Sequence, residues 1–167
     1  MIALLFWVFC GSPLFGQPPQ PVYKKDGIRK SVRKLVREMG QQNELYSEAV
    51  GYAGKKERPY KRFEALLKKA TTEELLLLLS HPKAAVRGYA FWGLAKRHHP
   101  ELESIFVAHA RDEQMVFTHM GCTVAEIPLI EFMRWVVMPN MLDVDCKKLE
   151  KAVFQKVRDI RFPDAEH

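Results

Sequence analysis

The side chains with the most to offer chemically in this chain are six histidines and three cysteines. His98 and His99 are adjacent, while His109 and His119 are scattered. No pair stands at the i, i+4 spacing, with a nearby carboxylate, that a helical metal site needs. The run His98-His99-Pro100 reads as the close of a helix, where an imidazolium also suits the C-terminal dipole, and His81 occupies a similar turn. Cys122 and Cys146 could form a disulfide in an oxidising compartment. They read equally as two buried thiols, because Cys122 stands in an apolar stretch. A Cys122 nucleophile beside His119 would share one helix face with it, but nothing orients the base. There is no Gly-rich phosphate loop, GxSxG elbow or HExxH in the sequence. Tyr89, Phe91 and Trp92 could line a pocket, though aromatic residues so spaced more often fill a core. The sequence therefore points to no catalytic residue, no cofactor, no metal and no small-molecule substrate, and to a protein that is not an enzyme.

The remaining chemistry is charge. Residues 17–70 hold 14 Lys+Arg and 6 Asp+Glu, a balance of +8, against −2 for residues 71–167, so the whole formal +6 lies in the N-terminal third. Its densest part is Arg29, Lys30, Arg33, Lys34 and Arg37. Ile28, Val32, Leu35, Val36 and Met39 recur between them at helical spacing, which predicts an amphipathic helix over 28–39 ended by Gly40. Its basic face could meet an anionic lipid or glycan surface, or a nucleic-acid backbone; it could also be simply solvated. No aromatic residue interleaves the run, so stacking on single-stranded bases has no platform there.

Several elements must position these residues. The 167 residues, 47% apolar and 28% charged, exclude a disordered chain, a collagen and a multi-span membrane protein, and three cysteines exclude a disulfide-dense scaffold. Residues 1–16 carry no charged side chain and include an apolar run at 2–9, too short to span a bilayer. Pro13 and small residues follow, the pattern of a secretory leader. Cleavage is expected after Gly16, leaving an exported protein, periplasmic or extracellular, for which nucleic acid is a poor partner. A proline-rich linker follows at 17–27, then one domain at 28–162 and a frayed tail at 163–167.

Within that domain the periodicity predicts helices throughout. Pro59 opens one that carries Tyr60, Phe63, Leu66 and Leu67 on one face. Thr71 or Thr72 caps the next, with Glu74 as reciprocal cap, and its five consecutive leucines require packing on more than one side. A third helix spans 83–97, and a fourth opens at Pro100. A fifth begins at Val116, and the segment 127–138 reads as helix or buried strand. A last helix is capped by Asp143 or Asp145 and runs to about Asp159, with Val144, Leu149, Val153 or Ala152, Phe154 and Val157 inward. At an offset of 30 residues Val116 matches Val86, Asp112 matches Pro82 and Met120 matches Ala90. On Leu75, Leu76, Leu78, Leu79, Pro82, Val86, Arg87, Ala90 and Leu94 the chain resembles the short bacterial form of the HEAT-type repeat. Phe117 stands where the second copy would carry arginine.

That resemblance implies an all-α fold, an α-α superhelix of about six to eight helices in antiparallel pairs. Arg87 would then pack along the stack. The stretches SEAVGYAG, AVRGYAFWGLAKR and HMGCTV also resemble landmarks of a group of exported bacterial proteins, a likeness that carries no catalytic residues. The expected function is that of an exported, non-enzymatic protein-interaction or adaptor module at the bacterial cell envelope, with a protein partner. The alternative is a DNA-binding protein resembling the helical DNA glycosylases.

Overall fold

The computed structural model describes residues 22–163. The expected leader at 1–16, residues 17–21 of the linker and residues 164–167 of the tail fall outside that span. The described chain begins with a short 3-10 turn, Lys25–Gly27. Seven helices and three strands then run in the order α1 (Lys30–Gln42), β1 (Glu44–Val50), α2 (Arg58–Lys69), α3 (Thr72–Leu78), α4 (Ala84–Lys96), α5 (Leu102–Ala108), β2 (Met115–Gly121), β3 (Thr123–Pro128), α6 (Leu129–Val137) and α7 (Lys151–Arg161).

The three strands form one mixed sheet in the order β1-β2-β3, with β1 parallel to β2 and β2 antiparallel to β3. This overturns the all-α reading and, with it, the helical superhelix. At the 30-residue offset Val86 and Ala90 lie in α4 while Val116 and Met120 lie in β2, so the offset matches a helix to a strand, and nothing identifies Pro82, Val86, Arg87, Ala90 and Leu94 as a repeat. The physical reason is a period of two. Val116 and Thr118 are buried while Met115 and Phe117 are exposed, the alternation of a strand with one face on a core. Met120 pairs with Thr123, which leaves the two-residue loop Gly121-Cys122, and Gly121 has a φ of +58°. Glycine first in a two-residue loop is the mark of a tight hairpin.

The core is built round α4. Every residue from Ala84 to Ala95 in α4 is buried, so this helix has no polar face and lies among its neighbours rather than upon them. The leucines of α3 lie along one side, and α6 with the inner sheet face along another. Phe63, Tyr89 and Trp92 stack within 4.6–6.4 Å of one another, which identifies the aromatic run of α4 as core. At Gly88 a Cβ would stand 2.9 Å from Leu45 Cδ1 and 3.1 Å from Leu129 Cδ1, so glycine lets β1 and α6 close on the helix. The predicted cap of α3 is present: Thr71 Oγ1 accepts from Glu74 N–H at 3.2 Å, and Glu74 Oε2 accepts from Thr71 N–H at 2.8 Å.

Other boundaries move. Gly40 does not end α1, which continues to Gln42 and closes on Asn43, a left-handed residue at φ 51°. The Asn43 side chain then accepts from Ala85 N–H at 3.1 Å, satisfying the open start of α4. The segment 127–138 is divided: β3 ends at Pro128 and α6 follows. The final helix starts at Lys151, not at Asp143 or Asp145, and Val144 is exposed rather than inward. Asp143 is held elsewhere, accepting from Trp92 Nε1 at 2.9 Å and Lys96 Nζ at 2.6 Å.

Candidate functional site

Lys30, Arg33, Lys34 and Arg37 occupy positions 0, 3, 4 and 7 along α1, one face of a helix. At 1.5 Å per residue they span about 10 Å. The buried face beneath them is Val32, Val36, Met39 and Gly40. The first turn of α1 has no acidic residue and its last turn no basic one, so these cations crowd the positive end of the helix dipole. That placement disfavours the helix; it strengthens the positive potential outside it.

The structure sets a second wall opposite this face. His81, Pro82 and Lys83, in the turn between α3 and α4, line a groove of about 880 Å³ with α1, and Tyr23 and Lys25 line it from the N-terminal segment. Gly40 lies where the two walls meet: a Cβ there would be in ordinary van der Waals contact, 3.4 Å from Lys83 Cγ and 3.6 Å from His81 Cε1. Among the described residues, none of Lys25, Lys30, Arg33, Lys34, Arg37 and Lys83 has a carboxylate oxygen within 4.0 Å.

Two rings add hydrogen-bonding and stacking surface. Tyr23 meets His81 edge-on, with centroids 4.7 Å apart. His81 Nδ1 accepts from Lys83 N–H at 3.1 Å, which places the proton of the neutral ring on Nε2. Burial pushes the His81 pKa down to about 4, and the nearby Arg87 and Lys83 act the same way. Burial raises the Tyr23 phenol above its ordinary 10.0. At neutral pH the groove therefore offers six cations, a phenol and an uncharged imidazole.

Arg29 is not free for this face. Its guanidinium forms a fork with the Glu74 carboxylate, Nε to Oε1 at 3.0 Å and Nη2 to Oε2 at 2.7 Å, and its backbone N–H donates to the same Oε1 at 2.8 Å. Hydrogen bonds from Arg29 hold the Glu74 carboxyl down at about 2. Arg29 thus fastens the start of α1 to α3, and Lys25 and Lys83 complete the groove instead. Neither was singled out in the sequence, since only the folded contact of α1 with the 81–83 turn brings them there.

The other candidates lie apart from the groove. Arg87 is held by Asp112 through Nε and Nη2, at 2.8 and 2.7 Å, and donates to His81 O at 2.7 Å and to Gln114 Oε1 at 2.8 Å. Every arm of its guanidinium is occupied, and it ties the start of α4 to the segment before β2. His109 Nδ1 lies 3.2 Å from Asp112. Cys122 is exposed at the hairpin loop and Cys146 is buried, and both are free thiols. Burial, with Asp143 nearby, pushes the Cys146 thiol up to about 12. Among the described residues no group of three His, Cys, Asp or Glu is placed to hold a metal, and no helix is long and apolar enough to cross a membrane. No protein-family model, curated protein or solved structure matches the chain.

Proposed function

We propose that this chain is an exported, non-enzymatic adaptor of the bacterial cell envelope that holds an anionic polymer in the groove between α1 and the 81–83 turn. The observation that carries the reading is the set of six cations around one concavity with no carboxylate partner among the described residues. Elsewhere the cations that fasten the fold are held, Arg29, Arg87 and Arg161 by carboxylates and Arg97, Lys147 and Lys148 by backbone carbonyls. Like charges held together without partners raise the free energy of the folded chain, and an anionic ligand recovers that cost. A walled groove suits a strand, such as an acidic glycan, better than the plane of a bilayer. Export is inferred from the leader-like residues 1–16.

The test is binding of the mature protein to an acidic polysaccharide, to phosphatidylglycerol vesicles and to a single-stranded oligonucleotide across a salt series. The polysaccharide is expected to bind most tightly, to weaken steeply with salt and to be lost in the Arg33→Glu, Lys34→Glu double variant. Binding that ignores both salt and these substitutions sinks the proposal. A second reading, single-stranded nucleic acid, is favoured by the rings of Tyr23 and His81, which give the groove the aromatic surface that α1 lacks. It requires preference for the oligonucleotide, a log–log salt slope of about 3–4 and loss on Tyr23→Ala. A native N-terminus at Gln17 counts against it. The mixed sheet leaves no helical superhelix of the kind a helical DNA glycosylase would need.

A further inference from the structure

The sheet has one covered face and one open face. Leu45, Val116 and Thr118 point toward α4 and α6 and are buried. The residues between them point away, and the strand registers align these in two rows. Glu44 pairs with Phe117, which pairs with Glu126; Tyr46 pairs with His119, which pairs with Val124. Phe117 is 47% exposed and Val124 62% exposed. Directly opposed side chains on one sheet face are in reach of each other, so the accessible Phe117 ring has Glu126 as its cross-strand neighbour on β3 and the Glu44 position on β1. In the next row Tyr46 and His119 are stacked at 4.1 Å. The Glu44 carboxylate leans to that row, accepting from the Tyr46 hydroxyl at 2.9 Å with His119 Nε2 at 3.8 Å.

Charge makes this face distinct from the rest of the molecule. The three strands contain Glu44, Glu48 and Glu126 and neither a lysine nor an arginine, in a chain with 26 Lys+Arg. Among the described residues, Glu44 and Glu126 have no Lys or Arg partner within 4.0 Å. Glu48 is held by Lys56 at 2.9 Å and Glu44 has His119 Nε2 at 3.8 Å, so among the described residues Glu126, in the Phe117 row, is the strand carboxylate with no basic side chain beside it. An exposed ring beside an uncompensated carboxylate takes a guanidinium or ammonium, through its π face and through charge together.

We infer that the open face of the sheet is a docking surface for a protein segment that carries arginine or lysine beside aliphatic side chains. The cation sits over Phe117 beside Glu126, and the aliphatic neighbours cover Val124 and the hairpin beside it. Complementarity excludes an acidic partner here, just as the groove excludes a basic one. The two surfaces differ in sign, so each can be occupied without competing for the other's ligand. The inference stands independently of the groove's ligand.

The test uses the folded mature chain, isotopically labelled, titrated with a synthetic peptide of alternating arginine and isoleucine. A second peptide with glutamate in place of arginine serves as the control. The arginine peptide should shift the amide signals of β2 and β3, and the glutamate peptide should not. Phe117→Ala and Glu126→Gln, both exposed and so compatible with folding, should each weaken binding about two- to five-fold. The groove variant Arg33→Glu, Lys34→Glu should leave this binding unchanged. The inference is overturned if the shifts map away from the sheet, or if neither sheet variant alters the affinity. It is also overturned if Phe117→Ala abolishes a concentration-dependent dimer, which would make a second copy of the chain the occupant.

Discussion

Replacing Glu74 by glutamine keeps the shape of the side chain and its capping bond to Thr71 N–H, but removes the charge that Arg29 grips. The carboxyl is held at about 2 against an ordinary 4.5, and that displacement corresponds to about 3 kcal/mol in favour of the ionised folded form. The Arg29 side chain is 58% exposed, so solvent screening reduces the figure, and about 1–2 kcal/mol is expected to survive. Because the folded value lies below the unfolded one, this stabilisation is fully present above pH 4.5 and is lost as pH falls toward 2. Urea denaturation of both forms at pH 7, 5, 4 and 3 checks it. The wild type should exceed Glu74→Gln by about 1–2 kcal/mol at pH 7, or about 2–8 °C in Tm, with a narrowing gap below pH 4.5. A gap that is the same at pH 7 and pH 3 would refute the assignment of the stabilisation to the Arg29–Glu74 ion pair. The variant also bears on function, since this pair fixes the start of the α1 wall of the groove.

Sulfate, phosphate or simple salt should raise the Tm of the free protein by relieving repulsion among the groove cations, and the Arg33→Glu, Lys34→Glu variant should respond less; differential scanning fluorimetry reads both. Gly88→Ala forces a Cβ against Leu45 and Leu129 and should cost about 1–3 kcal/mol by urea denaturation. The His81 ring should titrate near 4 by NMR. A base whose folded value is depressed favours unfolding as pH falls from its ordinary 6.5 toward that value, so His81→Gln should flatten the stability profile between pH 6.5 and 4. A thiol reagent should label Cys122 at once and Cys146 only on unfolding.

Helices whose signals are local were legible in the sequence. The Thr71–Glu74 box, Pro59 at a first turn and the helical spacing of Val86, Tyr89, Ala90 and Leu94 each fix an element without help from the rest of the chain. The strands were not, because in β1 only Leu45 is buried and in β2 Val116, Met120 and their neighbours also fit a helical spacing. The signal that could have separated them was Gly121 between two β-branched runs, with Val116 and Thr118 before it and Thr123 and Val124 after. For the groove, the α1 cations were legible as a face, whereas Lys83 and His81 lie far away in sequence and Tyr23 stands in the segment that reads as linker. Arg29 was misplaced on that face because one Glu74 carboxylate serves two partners, capping α3 and holding the guanidinium.

The parallel pairing of β1 with β2 has a consequence for how the molecule comes into being. Helices α2 to α5 all lie between the two strands in the chain, so their ladder closes a long loop, and contacts of that span form late and slowly. The hairpin of β2 and β3 can form locally, but the row Glu44–Phe117–Glu126 exists only after β1 has joined it. Any partner that reads this row binds only chains that have finished folding, and the docking face doubles as a check that the protein is complete.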